Sequence, residues 1–412
     1  MRARSVSRRT FIQQALAASA GAAAALKCAP NNLFAAEHLV ATNQPSLAAR
    51  RSEAKVALVS CHSYGPELRP ALEQCFDLLG GVGSLVKGKT VAVKLNLTNG
   101  DFMQFLGRPV GETFMTHYAT ALALGSVLFA AGARRVRFVE STPSRAGLET
   151  TLTLGDWDVP ALTALGKVEF ENTRNLGSGK SYAHLRVPSG GHMFSAFDLN
   201  QAYEQTDVMV SLAKLKLHLT AGVTLSMKNC FGATPISIYG DGAGYHEPNE
   251  SPRGGRFMFH TGYRQPSKSA PGENQPGTYR DPGYRVPRIV ADIVAARPIH
   301  LAIVEGVRTM AGGEGAWVKG VSAVQPGVIV AGLNPVCTDA VAMAVMGFDP
   351  MANRGMPPFE TCDSTLRLAE EHGIGTRDLS RIEIAGTPIE QARFDFAGRR
   401  KERRARLQQA RG

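Results

Sequence analysis

Residues 207–232 read DVMVSLAKLKLHLTAGVTLSMKNCFG. Val208 to Leu212 is a short apolar run of the kind a buried strand uses. The run gives way to Lys214, Lys216 and His218, and Ala221-Gly222 then breaks the chain. From Val223 the apolar spacing predicts a helix that carries Lys228-Asn229 and that Gly232 can end. A strand with three cationic or titratable side chains at its carboxyl end, followed by a helix with another lysine, has the geometry of a ligand crevice in an open α/β sheet. A solvated basic loop is the alternative. Three lysines and a histidine set between apolar neighbours fit it less well.

The flanking sequence supports such a sheet. Apolar runs predict strands at 55–60, 89–97, 135–139, 301–304, 327–331 and 381–385, with a less definite one at 167–171. Helical spacing appears at 66–79, 117–131 (closed by Gly132) and 287–296, and a hairpin is expected at 185–198 around Ser189-Gly190-Gly191. A β-α-β order with apolar crossovers favours parallel pairing and right-handed connections. The expected fold is therefore α/β: a mostly parallel open sheet flanked by helices. An arrangement in two lobes around one cleft stays open. From Gly240 the apolar periodicity disappears, and 240–286 is expected to be a long loop insertion, with His246 and His260 making it a candidate lid.

The net charge of +11 invites a nucleic-acid reading until it is located. Arg2, Arg4, Arg8, Arg9 and Lys27, with no acid among residues 1–27, give +5. Seven Arg and one Lys against Asp395 and Glu402 in residues 393–412 give +6. The body between is neutral and has no general pull on a phosphate backbone, so no nucleic-acid partner is expected. The start, Ser7-Arg8-Arg9-Thr10-Phe11-Ile12 before an Ala-rich run, is similar to a twin-arginine export signal. Residues 1–36 are thus expected to be a signal peptide and 37–52 a linker. Residues 53–388 would form the α/β domain and 389–412 a basic tail. The expected destination is the periplasm, reached through the twin-arginine machinery, with no transmembrane segment in the mature chain.

Five cysteines follow the signal-like segment, and none forms a C-x-x-C pair. No local zinc or iron–sulfur motif is therefore present. The glycine-rich turn Met310-Ala-Gly-Gly-Glu314-Gly315 lacks the Gly-Lys-Ser/Thr ending of a P-loop. Cofactor and metal remain unknown at this level.

Five predicted strands lead into polar residues: Lys94 and Asn96, Glu140, Lys214 with Lys216 and His218, Glu305, and Asn334. In a doubly wound sheet the carboxyl ends share one edge, so these groups are expected to converge on one cleft. A cleft mixing lysines and carboxylates suits an anionic small molecule, a metal held through oxygen and imidazole, or proton transfer beside a carbonyl. Mutual neutralisation of the lysines and carboxylates is the duller alternative.

These residues also carry a family resemblance. Lys214-Leu-Lys216-Leu-His218 with Thr224 and Lys228-Asn229-x-x-Gly232 resembles the signature of the family called domain of unknown function 362. Lys94-Leu-Asn96, Thr116-His117, Glu305-Gly306 with Met310, and Asn334-Pro335-Val336 with Asp339 resemble further segments of it. The similarity covers about residues 52–388. Leu95, Leu217, Tyr118, Glu305 and Asn334 depart from the family's pattern. The resemblance implies no established reaction. More faintly, a His followed by a Gly/Lys loop is similar to a segment of nickel-pincer lactate racemases.

The sequence thus predicts an exported enzyme acting on a small carboxylate or phosphate, with metal assistance left open. His218, Lys228 and Glu140 are the candidate catalytic groups. Lys94, Asn96, His117, Lys214, Lys216, Asn229, Glu305, Asn334 and Asp339 are the candidate ligand-binding groups. A non-catalytic periplasmic binding or cofactor-accessory protein is the alternative.

Overall fold

The computed structural model describes residues 54–98, 101–142, 147–243, 255–277 and 279–409. The segments expected to be signal peptide and linker lie outside them. The main sheet has eight strands: β1 (Lys55–Ser60), β2 (Thr90–Lys94), β3 (Arg135–Glu140), β4 (Val168–Asn172), β5 (Val208–Lys214), β6 (Leu301–Gly306), β7 (Val328–Gly332) and β8 (Glu383–Gly386). Their order across the sheet is β8-β1-β7-β6-β5-β2-β3-β4. Every neighbouring pair is parallel except the two that β7 makes, with β1 and with β6.

The strands alternate between two apolar cores. Val91 and Val93 of β2 and Val208, Val210 and Leu212 of β5 face one side, with α1 (Leu68–Leu78) and α2 (Tyr118–Ala130). Ala92, Met209, Ala302 and Val304 face the other. That second face is covered by α3 (Leu225–Asn229), α4 (Pro282–Ala296), α5 (Pro335–Val345) and α6 (Thr365–Glu371). With both faces covered, β5 is buried along its whole length, which is why its sequence is a continuous apolar run rather than an alternating one. The five described cysteines lie buried in these cores as free thiols.

Chain order locates the crevice. From β2 the chain moves outward through β3 to β4, then returns to β5 on the other side of β2 and continues to β6. This reversal between β2 and β5 is a topological switch point, where the connections leave in opposite directions and a gap opens at the carboxyl edge. Lys94 ends β2 and Lys214 ends β5.

Three expectations need correction. Because β7 is antiparallel to both neighbours, its carboxyl end, and Asn334 with it, lies at the opposite edge from the other four groups. The helix expected from 287 begins at Pro282: Asp281 caps it by accepting from Gly283 N, Pro282 fills a first-turn position that needs no N–H, and Pro287 falls inside. The 240–286 segment is less loop-like than its composition suggests. Its described part holds a helical turn, Phe257–Thr261, and the start of α4, and its Glu273 forms a buried ion pair with Arg285.

Candidate functional site

Two buried ion pairs form the floor of the carboxyl edge. Lys94 Nζ donates to Glu140 Oε1 at 2.6 Å and to Leu95 O at 2.6 Å. Glu140 also accepts from Ser141 N at 2.9 Å and Leu97 N at 2.7 Å, so both its oxygens are committed. Gly232 allows this packing, since a Cβ there would stand 2.9 Å from Lys94 Nζ. The second pair follows from register: Glu305 lies opposite Lys214 on adjacent parallel strands. Lys214 Nζ donates to Glu305 Oε2 at 2.9 Å, to Gly111 O and to Tyr64 OH at 2.9 Å. Tyr64 OH in turn donates to Glu305 Oε1. Burial pushes the Lys214 ammonium down and the Glu305 carboxyl up, and their mutual attraction opposes both shifts.

Lys214, Glu140 and Glu305 are therefore taken up by protein partners, and Lys94 places two of its three N–H donors on Leu95 and Glu140. As free ligand-binding or catalytic groups these four are corrected: they build the floor. The same holds for His117, which caps α2 by accepting from Ala119 N at 3.1 Å and stacks on Tyr64 at 3.5 Å. Burial, then Lys214 and Arg308, lower its imidazole to about 3. Asn334 caps α5 at the far edge, accepting from Val336 N and Cys337 N. Asp339 is a brace. Its carboxylate accepts from Ser226 N at 2.9 Å, Ser226 Oγ at 2.6 Å and Met227 N at 3.0 Å. These bonds hold the start of α3, where Leu225 sits at φ +45°, a left-handed conformation costly for a leucine.

The remaining groups sit above this floor. Lys216 Nζ donates to Phe114 O at 2.6 Å and Glu314 O at 2.9 Å. Lys228 Nζ lies 4.4 Å from the centre of the Phe231 ring and has no hydrogen-bond acceptor among the described residues. Burial lowers both lysines to about 7, with Glu314 opposing the shift. His218 and His260 lie within electrostatic reach of Lys228 and of each other. Burial first, then that lysine, drives His218 well below its usual value and His260 to about 3. Both rings are neutral at pH 7.

Their tautomers differ. His218 Nδ1 accepts from Thr220 N at 3.2 Å, which leaves the ring proton on Nε2. His260 Nδ1 faces Arg256 O at 2.6 Å, and a carbonyl only accepts, so the proton sits on Nδ1 and Nε2 is bare. The local backbone thus makes one histidine a donor and the other an acceptor. Two further acceptors, Asn96 Oδ1 and Asn229 Oδ1, are buried without a hydrogen-bond partner among the described residues.

Four groups absent from the sequence-derived site set take part. Arg256 reaches back from the 255–277 segment to Thr234 O and to Ser141, and fastens that segment over the edge. His260 follows it on the same segment. Glu314, in the glycine-rich turn, accepts from Leu219 N at 3.0 Å and Trp317 Nε1 at 2.9 Å. Tyr64 completes the floor. Glu314 and His260 were visible as titratable residues in otherwise unexplained segments; Tyr64 and Arg256 had no local signal.

The chain is 29% identical over 184 residues to "Thylakoid-associated protein sll1697" of Synechocystis sp., an overlap of 44% of this chain and 50% of that protein. It thus spans about half the length of that curated relative. Among solved structures it is similar to the lactate racemase apoprotein of Thermoanaerobacterium thermosaccharolyticum, at 10% identity and a TM-score of 0.32 over 68% of this chain and 56% of the other. A likeness that loose carries no functional meaning. Residues 91–344, which run from the second residue of β2 to beyond β7, match the family described as Domain of unknown function (DUF362), and the chain belongs to that family.

Proposed function

We propose that this chain is an enzyme that binds a small carboxylate or phosphate at the switch point and moves a proton on it. Lys228 is the ligand's counter-charge, held beneath it as a point charge. His260, with its bare Nε2, is the general base, and His218, protonated at Nε2, is the hydrogen-bond donor and acid. Asn96 and Asn229 offer acceptors to hydroxyl or amide groups of the ligand. The observation that carries the reading is the Lys228 ammonium: half-buried, without an acceptor among the described residues, and placed beside two neutral imidazoles of opposite tautomer. A structural lysine in such a place would be paired, as Lys94 and Lys214 are.

A thermal-shift panel of organic acids and phosphates tests binding. A ligand at ~100 times its dissociation constant adds roughly 2.7 kcal/mol. Proton transfer is tested by incubating each hit in deuterium oxide and following solvent-deuterium incorporation by NMR. Binding without exchange or turnover would favour the accessory-protein alternative; no shift with any anion would end both.

The pH dependence has two opposite arms. Lys228 titrates at about 7 in the folded chain, below the unfolded lysine value of ~10.4. Between these values the unfolded state binds more protons, so the stability of the empty protein rises with pH through that window. Anion binding needs the ammonium, so affinity falls as pH rises above about 7, by up to ~10-fold per unit. Measured together, a ligand shift that shrinks while the unliganded midpoint climbs is the expected result.

We also propose export by the twin-arginine route, supported by the order of Arg8, Arg9 and Phe11. An Arg8→Lys/Arg9→Lys double variant is expected to stay in the cytoplasmic fraction of the exporting host. Equal recovery of both forms from the periplasm would refute the route.

A further inference from the structure

A second constellation shares no residue with this site. His192 lies in the loop joining the antiparallel strands Tyr182–Arg186 and Ala196–Asn200, Asp292 in α4, and His372 directly after α6. One nitrogen from each imidazole and one carboxylate oxygen lie within 4.8 Å of one another. The two rings are 4.3 Å apart between centres. Asp292 is fully buried, and backbone N–H groups fix its carboxylate: His192 N at 2.6 Å, Met193 N at 2.7 Å and Phe194 N at 3.0 Å. His372 Nε2 stands 2.9 Å from Asp292 Oδ1, and its Nδ1 lies 2.5 Å from Ser189 Oγ. His192 Nε2 lies 3.2 Å from Leu368 O and 3.7 Å from Glu371 Oε2.

We propose that His192, Asp292 and His372 bind a divalent transition-metal ion of the zinc class, which ties the hairpin loop to α4 and α6. Two imidazoles and a carboxylate are a donor set that zinc accepts. Both have the support that metal ligands usually have: the carboxylate is oriented by backbone donors, and His372 has an oxygen partner for its other nitrogen. When His372 donates Nδ1–H to Ser189, its Nε2 lone pair faces a carboxylate lone pair across 2.9 Å. A metal ion or a proton between them removes that repulsion. Metal bonds of ~2.0–2.2 Å span this gap at an angle near ~90°, and a widening of a few tenths of an ångström brings the angle to tetrahedral. Glu371 or a water completes the shell. A proton on Nε2 would serve the same pair without metal, so the two cases must be separated by measurement.

The full chain, stripped with a chelator and dialysed, is titrated with Zn2+ alone against a chromophoric competitor. The expected result is one zinc per chain, a rise in the melting midpoint, and at least a tenfold loss of affinity in both His192→Ala and His372→Ala. His218→Ala and His260→Ala should bind zinc as the wild type does. No stoichiometric zinc in the wild type overturns the proposal. So does undiminished binding by His192→Ala, or loss of binding through His218→Ala or His260→Ala instead. If His372→Ala fails to fold, His192→Ala, whose side chain is 22% exposed, decides alone.

Discussion

Lys228→Met is expected to abolish the ligand-dependent thermal shift while making the empty protein more stable. Truncating one partner of a buried charge pair costs a complex about 2–5 kcal/mol, which is roughly 30-fold or more in affinity. The unliganded chain responds in the opposite sense. The wild-type ammonium is half-buried, and its one direct partner among the described residues is the face of Phe231. Methionine keeps the length of the side chain and makes a favourable sulfur contact with the ring. Replacing buried ion pairs by well-packed apolar groups of similar volume is often neutral or stabilising by ~1–4 kcal/mol, and the partial exposure of Lys228 places it at the low end of that range. Urea denaturation with and without the best anion from the panel reads both effects. A variant that is destabilised and still binds would assign Lys228 to the architecture and remove the cation from the proposed chemistry.

The second large effect concerns the floor. Lys214→Ala leaves the Glu305 carboxylate buried with only Tyr64 and the backbone of His117 beside it. Breaking one side of such a pair costs about 3–5 kcal/mol. The double variant Lys214→Met/Glu305→Gln removes the charge from both strands and is expected to recover at least half of that loss. Asn96 and His218 remain in place, so ligand affinity per folded molecule should change little. If instead Lys214→Ala unfolds at the wild-type urea midpoint but loses the anion, then Lys214 rather than Lys228 is the counter-charge.

The contrast between these two lysines marks the limit of what sequence alone could reveal. Apolar runs identified β2, β3, β5 and β6, and the polar residues after them pointed to an edge, because a strand's carboxyl end is legible wherever the apolar run stops. Which lysine is paired was not legible. Pairing of Lys214 with Glu305 depends on the register of two strands about ninety residues apart, and that is a tertiary fact. The direction of β7 was hidden for the same reason. Yet Asn334-Pro335 carried its own local message, since Asn before Pro is a helix cap followed by a first-turn proline. Read that way, Asn334 belongs to α5. Asp339 likewise looked like a site acid because its partners, Ser226 and Met227, lie more than a hundred residues earlier in the chain (separations of 113 and 112). Arg256 and His260 lay in a Gly- and Pro-rich stretch where periodicity carries no information, and only the folded path returns them to the edge.

The cysteines buried in the two cores bear on the chemistry of the protein's surroundings. Burial pushes the thiols of Cys61, Cys75 and Cys362 up to about 12 and that of Cys230 to about 11, and raises Cys337 as well. Oxidants and alkylating reagents attack the thiolate, which these side chains scarcely form near neutrality. Enclosed in the two cores and held in the thiol form, the five cysteines of the folded domain react slowly with such reagents.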